Sequence, residues 1–249
     1  MDSDEDAVEG TGEVTSSVVV ENKLAANKLA ANKLQLNNVG ANDLLATDEG
    51  REVLSFIVSC AIKEGNTLVA EHDGVTYEFF GEVGLANKWL DHPIDDAGAG
   101  WVSACLFARV NASNVPIPIS LRGPNNKLAA SPEEKAGWTL QEGAFYGNFF
   151  TEEGEDIDWN ACQGSDQVAG ETGGLVERDC AEPDGNTGLT KCGFKYTGIC
   201  ESACKKFEVN GTFYKKCSAP VEDDNSYDHE NGHTKDTTYD EVITVYVTP

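Results

Sequence analysis

The sequence predicts an α+β fold. It has a helical core with a small antiparallel sheet, an N-terminal five-residue repeat segment before it, and a Cys-rich, loop-dominated C-terminal region after it. Three observations carry this. Trp101-Val-Ser-Ala-Cys-Leu-Phe-Ala-Arg-Val110 is the densest apolar run and is apolar on every side, the mark of a buried helix. The stretches 68–80 and 241–248 are rich in β-branched and aromatic residues and read as strands. Six of the eight cysteines follow residue 160, where apolar runs are few.

Residues 1–20 form an acidic tail that ends in Val18-Val-Val20, a run short enough to serve as an edge strand. Residues 21–46 repeat Asn-x-apolar every five positions, from Asn22-Lys-Leu24 to Asn42-Asp-Leu44. On a helix, a step of this length turns each Leu about 140° from the last, so no apolar stripe forms. On a strand, an odd step alternates faces. The period suits a small solenoid and resembles the pentapeptide-repeat β-helix, except that one residue separates Asn from Leu. An Ala/Lys/Leu-rich helix is the rival expectation.

Thr47 is an N-cap for a helix running to about Lys63, with Val53, Leu54, Ile57, Val58, Ala61 and Ile62 on one face and Gly65 beyond its end. Asp73-Gly74 predicts a type I′ hairpin between Leu68–His72 and Val75–Phe80. Residues 81–100 read as a loop with short helical pieces carrying Trp89, His92 and Pro93. The buried helix 101–110 follows. Its one charged residue, Arg109, needs a carboxylate partner if it is covered. Pro116 and Pro118 make 115–121 an edge strand at best. Ser131-Pro-Glu-Glu134 opens a helix expected to continue to Phe150.

An acidic connector, 152–158, leads into a segment that must be stapled, because it buries too little apolar surface on its own. The expected organisation is therefore a tail (1–20), a repeat segment (21–46), a main α+β domain (47–150), a disulfide-stapled Cys-rich region (151–240) and a terminal strand (241–249) that returns to the main sheet.

The chain carries 18 basic and 43 acidic residues, a net charge of −25. Such a surface repels phosphate backbones, so no nucleic acid partner is expected. It suits cations, or serves solubility alone. No run is long and apolar enough for a transmembrane segment. Cys60, Cys105, Cys162, Cys180, Cys192, Cys200, Cys204 and Cys217 are even in number and include no Cys-x-x-Cys pair, which points to disulfides rather than a zinc ribbon. Pairings on the order of 100 are open. A clamp between Cys60 and Cys105 is the simplest, since each lies on an apolar helix. The acidic start lacks the features of a signal peptide, so the expectation is a secreted or outer-surface protein whose signal has been removed.

Candidate chemistry is sparse. His229-Glu-Asn-Gly-His233 matches His-Glu-x-x-His, in which two His on one helix face bind zinc and Glu230 activates water. The flanks are polar, and Asn231-Gly232 favours a hairpin turn. The longer metalloprotease pattern would need Gly and His where Asp236 and Tyr239 stand. Zinc is therefore not favoured. Cys105 with His92 or His72 as base is a second enzyme reading, set against the clamp. Asp184-Gly-Asn186 and the run containing Glu155, Asp156 and Asp158 offer oxygen ligands for a structural Ca²⁺ without EF-hand spacing. No other cofactor is expected. Asn111-Ala-Ser113 and Asn210-Gly-Thr212 are formal glycosylation sequons.

The Asn-x-Leu repeats, Glu49-Gly-Arg-Glu-Val-Leu-Ser-Phe-Ile-Val-Ser-Cys60, the 101–111 run, Ile119-Ser-Leu-Arg-Gly123, Glu142-Gly-Ala-Phe-Tyr-Gly-Asn148 and Arg178-Asp-Cys-Ala-Glu-Pro183 together resemble a group of uncharacterised exported, lipoprotein-like proteins associated with myxobacteria. The resemblance spans nearly the whole chain. It implies export and transfers no functional residue.

The leading expectation is an exported, disulfide-stabilised extracellular or cell-surface binding or structural protein. A cationic or carbohydrate surface partner and a homo-oligomer are both compatible with it. The alternative is a secreted hydrolase, metal-dependent through 229–233 or a cysteine hydrolase through Cys105.

Overall fold

A computed structural model describes residues 19–22, 42–113, 116–150, 157–206, 213–219, 227–228, 233–234 and 237–249. Residues 23–41, most of the five-residue repeat, lie outside these, as does the sequon at Asn210.

Strand β1 (Val19–Asn22) precedes helices α1 (Asn42–Ala46) and α2 (Asp48–Ala61). Thr47 caps α2 as expected, its hydroxyl accepting from the Gly50 amide. Val53, Leu54, Ile57, Val58 and Ala61 are its buried face. The hairpin follows as β2 (Thr67–His72) and β3 (Val75–Phe80), with Asp73 and Gly74 both at positive φ, as a type I′ turn requires.

Helix α3 (Asp96–Ala108) is the predicted central helix, begun five residues early. Asp95 caps it by accepting from the Gly98 amide at 2.7 Å. Ala99 and Val102 to Ala108 are buried on all sides of it. Arg109 finds its carboxylate, Glu82, at 2.9 Å, and lies over the Phe56 ring.

Strand β4 (Ile117–Arg122) is not an edge. Strand β1 pairs with Ile117–Ser120 on one side, and the C-terminal strand pairs only with Ser120–Arg122 on the other. Pro118 therefore sits where one neighbour is absent, and its missing N–H breaks no ladder there. Val19 and Val20 of the predicted edge run thus begin the strand that covers β4.

The helix expected over 131–150 is corrected. Helix α4 (Pro132–Gly137) is short, capped by Ser131, and the chain then forms β5 (Leu140–Asn148). Every residue from Gln141 to Gly147 is buried, because both faces of this strand are covered. Such a strand loses the polar alternation that separates it from a buried helix. Gly143 lets neighbouring chain approach: a Cβ there would sit 2.3 Å from the Cys162 carbonyl oxygen. Gly147 has φ +135°.

The remainder comprises β6 (Asp158–Gln163), α5 (Ser165–Ala169), α6 (Gly174–Arg178), β7 (Lys195–Ile199), α7 (Cys200–Ala203), β8 (Cys204–Lys206), β9 (Tyr214–Ala219), the two-residue strands β10 (Tyr227–Asp228) and β11 (His233–Thr234), β12 (Thr237–Tyr239) and β13 (Ile243–Val247). The main sheet has the order β1-β4-β13-β5-β6-β7, antiparallel except for β6–β7. The terminal strand β13 lies between β4 and β5. Two strands from the cysteine-rich half, β6 and β7, complete the sheet at its other end.

One face of the sheet, with Leu121, Phe145, Ala161, Ile243 and Val245, packs in the cluster that includes α2 and α3. The other, with Ala144, Tyr146 and Cys162, packs with Tyr214 and Cys217 of the three-stranded sheet β12-β9-β8.

All eight cysteines are paired: Cys60–Cys105, Cys162–Cys200, Cys180–Cys192 and Cys204–Cys217. The expected clamp joins α2 to α3. A second tie is polar. Arg178, fully buried, pairs with buried Glu142 and donates to the carbonyls of Ala108 and Val110 at 2.6 and 3.1 Å, closing the C-terminus of α3. Glu142 also accepts from the Cys180 amide at 2.9 Å. Among the described residues no helix is long and apolar enough to cross a membrane.

Candidate functional site: a two-tryptophan cleft

The segment between β3 and α3 cannot form regular structure, since Gly84, Pro93 and the cap Asp95 interrupt it. It is held from below. Leu85 and Ala86 donate their amides to the carbonyls of Cys60 and Ala61, at the end of α2 beside the Cys60–Cys105 bridge. Asn87 Oδ1 accepts from the Lys63 amide at 3.1 Å and from Asn66 Nδ2 at 3.3 Å. A 3₁₀ turn, Asn87–Leu90, then presents Trp89.

This segment, the first two turns of α3 and the turn Asn125–Lys127 enclose a cleft of about 490 Å³. Trp89, Trp101, Pro93 and Ile94 supply its apolar surface, and Asn87, His92, Asp95, Asn125 and Asn126 its polar groups. Asn125 Oδ1 accepts from the Lys127 amide at 3.0 Å, which fixes the turn. Gly98 is part of the wall: a Cβ there would meet Asp95 Oδ1 at 2.8 Å and Ala86 Cβ at 3.2 Å. Two lysines, Lys88 and Lys127, stand on the rim of a chain that is otherwise strongly acidic.

The two tryptophans are half-buried. The Trp138 indole donates to the Pro118 carbonyl, whereas the indole N–H groups of Trp89 and Trp101 have no partner among the described residues. Tryptophan with a covered ring body and an unpaired polar edge is the residue expected where a ligand with an apolar face and hydroxyls docks.

The sequence-predicted residues fall elsewhere or separate. Cys105 is fully buried and bonded to Cys60, so it carries no thiol for nucleophilic attack. His92 lines the cleft, while His72 stands at the hairpin tip, 3.5 Å from Asp73. His233 is in β11, opposite Asp228 of β10, and so is on a strand. His229 and Glu230 lie outside the described residues, as do Glu155 and Asp156. Asp158 accepts from Tyr239 and from Asn160 Nδ2, and Asp184 and Asn186 are exposed. Neither Asp158 nor Asp184 belongs to a close group of His, Cys, Asp or Glu ligand atoms among the described residues. Asn111 of the first sequon is buried, its Oδ1 accepting from Ser113.

Sequence reasoning placed Trp89, His92 and Pro93 in one loop but not beside Trp101 and Asn125. The available signal was a tryptophan in a polar loop; in the structure both Trp89 and Trp101 also pack against the main core, with one side left to the cleft.

Comparison with protein-family models, with curated proteins and with solved structures finds no match.

Proposed function

We propose that this chain is an exported carbohydrate-binding protein whose cleft between Trp89 and Trp101 holds a saccharide. The observation that carries the reading is the pair of tryptophans whose indole N–H groups have no partner among the described residues, set in one concavity with three carboxamide side chains. A sugar ring offers C–H surface to the indole faces, and its hydroxyls can donate to Asp95 and both donate to and accept from the carboxamides of Asn87, Asn125 and Asn126. The cleft volume of about 490 Å³ falls among small-ligand sites, which span about 300–1,000 Å³. Four disulfides support an oxidising compartment, and a net charge of −25 disfavours nucleic acid.

A glycan array probed with the labelled full chain tests this. Selective binding to one glycan class is expected. Trp89→Ala or Trp101→Ala should weaken it about 10- to 100-fold, the loss of one large apolar contact. His72→Ala, away from the cleft, should leave it intact. Binding to no glycan, or binding indifferent to both tryptophan substitutions, overturns the reading.

A further inference from the structure

The hairpin β2–β3 stands apart from the main sheet and shares no residue with the cleft. Its inward face carries Leu68, Ala70, Tyr77 and Phe79, which pack on the cluster holding Leu44 and Leu45 of α1 and Leu54 and Ile57 of α2. Its outward face is Thr67, Val69, Glu71, Thr76, Glu78 and Phe80, all exposed. Phe80 is 66% exposed and Val69 58%. The register sets Val69 opposite Glu78 and Phe80 opposite Thr67, so the two apolar side chains are diagonal neighbours on one face.

The backbone edge of β2 is open as well. His72 and Val75 close the two-residue turn and exchange hydrogen bonds. Alternation then makes bonded pairs of Ala70 with Tyr77, Leu68 with Phe79 and Asn66 with Gly81. The Gly81 amide does donate to the Asn66 carbonyl, at 2.9 Å. Thr67, Val69 and Glu71 therefore turn their N–H and C=O groups away from β3, and these groups have no backbone partner among the described residues. The β3 side is engaged instead: Arg51 of α2 lies over the Tyr77 ring, and just beyond β3 the Glu82 and Val83 amides donate to the Ser59 carbonyl.

Folded proteins protect an exposed edge with Lys, Pro or a bulge. Residues 67–80 contain no Lys, Arg or Pro, and their register is unbroken. They carry acid: Glu71 and Glu78 share the outward face with the apolar pair, and Asp73 stands at the tip. Such an edge disfavours a second copy of this chain, which would set Glu against Glu in a molecule of net charge −25. It complements a strand that bears cations.

We propose that β2 is a docking edge for an extended, basic segment of a partner protein. The segment's backbone pairs with Thr67, Val69 and Glu71, its apolar side chains extend the patch begun by Val69 and Phe80, and its Lys or Arg side chains reach Glu71 and Glu78. Strand addition of this kind draws affinity from main-chain hydrogen bonds and specificity from alternate side chains.

Titration of the isotopically labelled full chain with the peptide acetyl-Lys-Val-Lys-Val-Lys-Val-amide, followed by heteronuclear NMR, tests this. The amides of Thr67, Val69 and Glu71 should shift saturably and gain protection from hydrogen exchange. The diastereomer with D-Val throughout keeps charge and composition but cannot follow the pleat, and should bind about tenfold or more weakly. Val69→Pro removes an outward donor while sparing the bonds to β3, and should weaken binding by about as much. E71K/E78K changes only exposed side chains, should also weaken binding about tenfold, and serves alone if Val69→Pro loses its native circular dichroism. Equal binding of the two peptides, binding indifferent to the variants, or shifts that miss Thr67, Val69 and Glu71 would reduce the effect to charge attraction and overturn the proposal. So does protection of these three amides in the free chain, which would mean that this chain or a second copy already covers the edge. None of these results bears on the cleft.

Discussion

The Cys60–Cys105 bridge closes a loop of 45 residues and carries no other bridge inside it, so its contribution can be isolated. The perturbation is C60A/C105A. In the chain-entropy treatment a closed loop of 45 residues restrains the unfolded chain by about 13 cal/mol/K, or about 4 kcal/mol at 25 °C. Both sulfurs are fully buried, and their lost contacts act in the same direction. The assay is urea unfolding followed by tryptophan fluorescence and far-ultraviolet circular dichroism, with linear extrapolation. With a slope of about 2 kcal/mol/M, the midpoint should fall by about 2 M. The comparison is C180A/C192A, whose loop of 12 residues predicts about 3 kcal/mol. A loss below about 1 kcal/mol for C60A/C105A at unchanged slope would refute the reasoning, because it would mean α2 and α3 are held without the tie.

Three further outcomes follow from particular contacts. Arg178→Met leaves the Glu142 carboxylate buried and uncompensated, and should cost about 3–5 kcal/mol by urea unfolding; the double variant with Glu142→Gln should recover part of it, and additive losses would contradict the pairing. Burial raises the hydroxyl pKa values of Tyr146, Tyr214 and Tyr239 above their ordinary value near 10.0. Above that pH the unfolded chain has lost protons that the folded chain keeps, so stability falls as pH rises. These phenols should ionise, by absorbance at 295 nm, only together with alkaline unfolding; ionisation in a chain with native circular dichroism would contradict their burial. Gly98→Ala forces its Cβ against Asp95 Oδ1 and should cost about 1 kcal/mol through the cap while weakening saccharide binding; a fully stable variant with unchanged binding would remove Gly98 from the cleft wall.

Local signals were legible in the sequence, and long-range convergence was not. Thr47, Asp73-Gly74 and Ser131 act over a few residues, and each marks its turn or cap where expected. The Cys60–Cys105 pair was legible because two apolar helices each carried one cysteine. Strand β5 was not, because burial on both faces erased its alternation and the Ser131-Pro132 start signal belonged to a helix of one and a half turns. The first turn of α3 was hidden by Gly98 and Gly100, which look like breaks but make room for Asp95 and Glu241. The Arg178–Glu142 pair spans 36 residues, and the tie it makes through the core has no local pattern. The cleft shares that property. Trp89, Trp101 and Asn125 meet only because the Cys60 end of α2 holds residues 85–87 against α3.

The most direct test of the saccharide cleft follows the four tryptophan indole N–H resonances by heteronuclear NMR as a glycan is added. Each can be assigned by single substitution. Trp89 and Trp101 should shift together and saturably. Trp138, already donating to Pro118, and Trp159, packed edge-on to Phe107 and Phe194, should stay in place. A panel of acidic and neutral glycans that moves neither Trp89 nor Trp101, or moves Trp138 or Trp159 instead, would contradict the account.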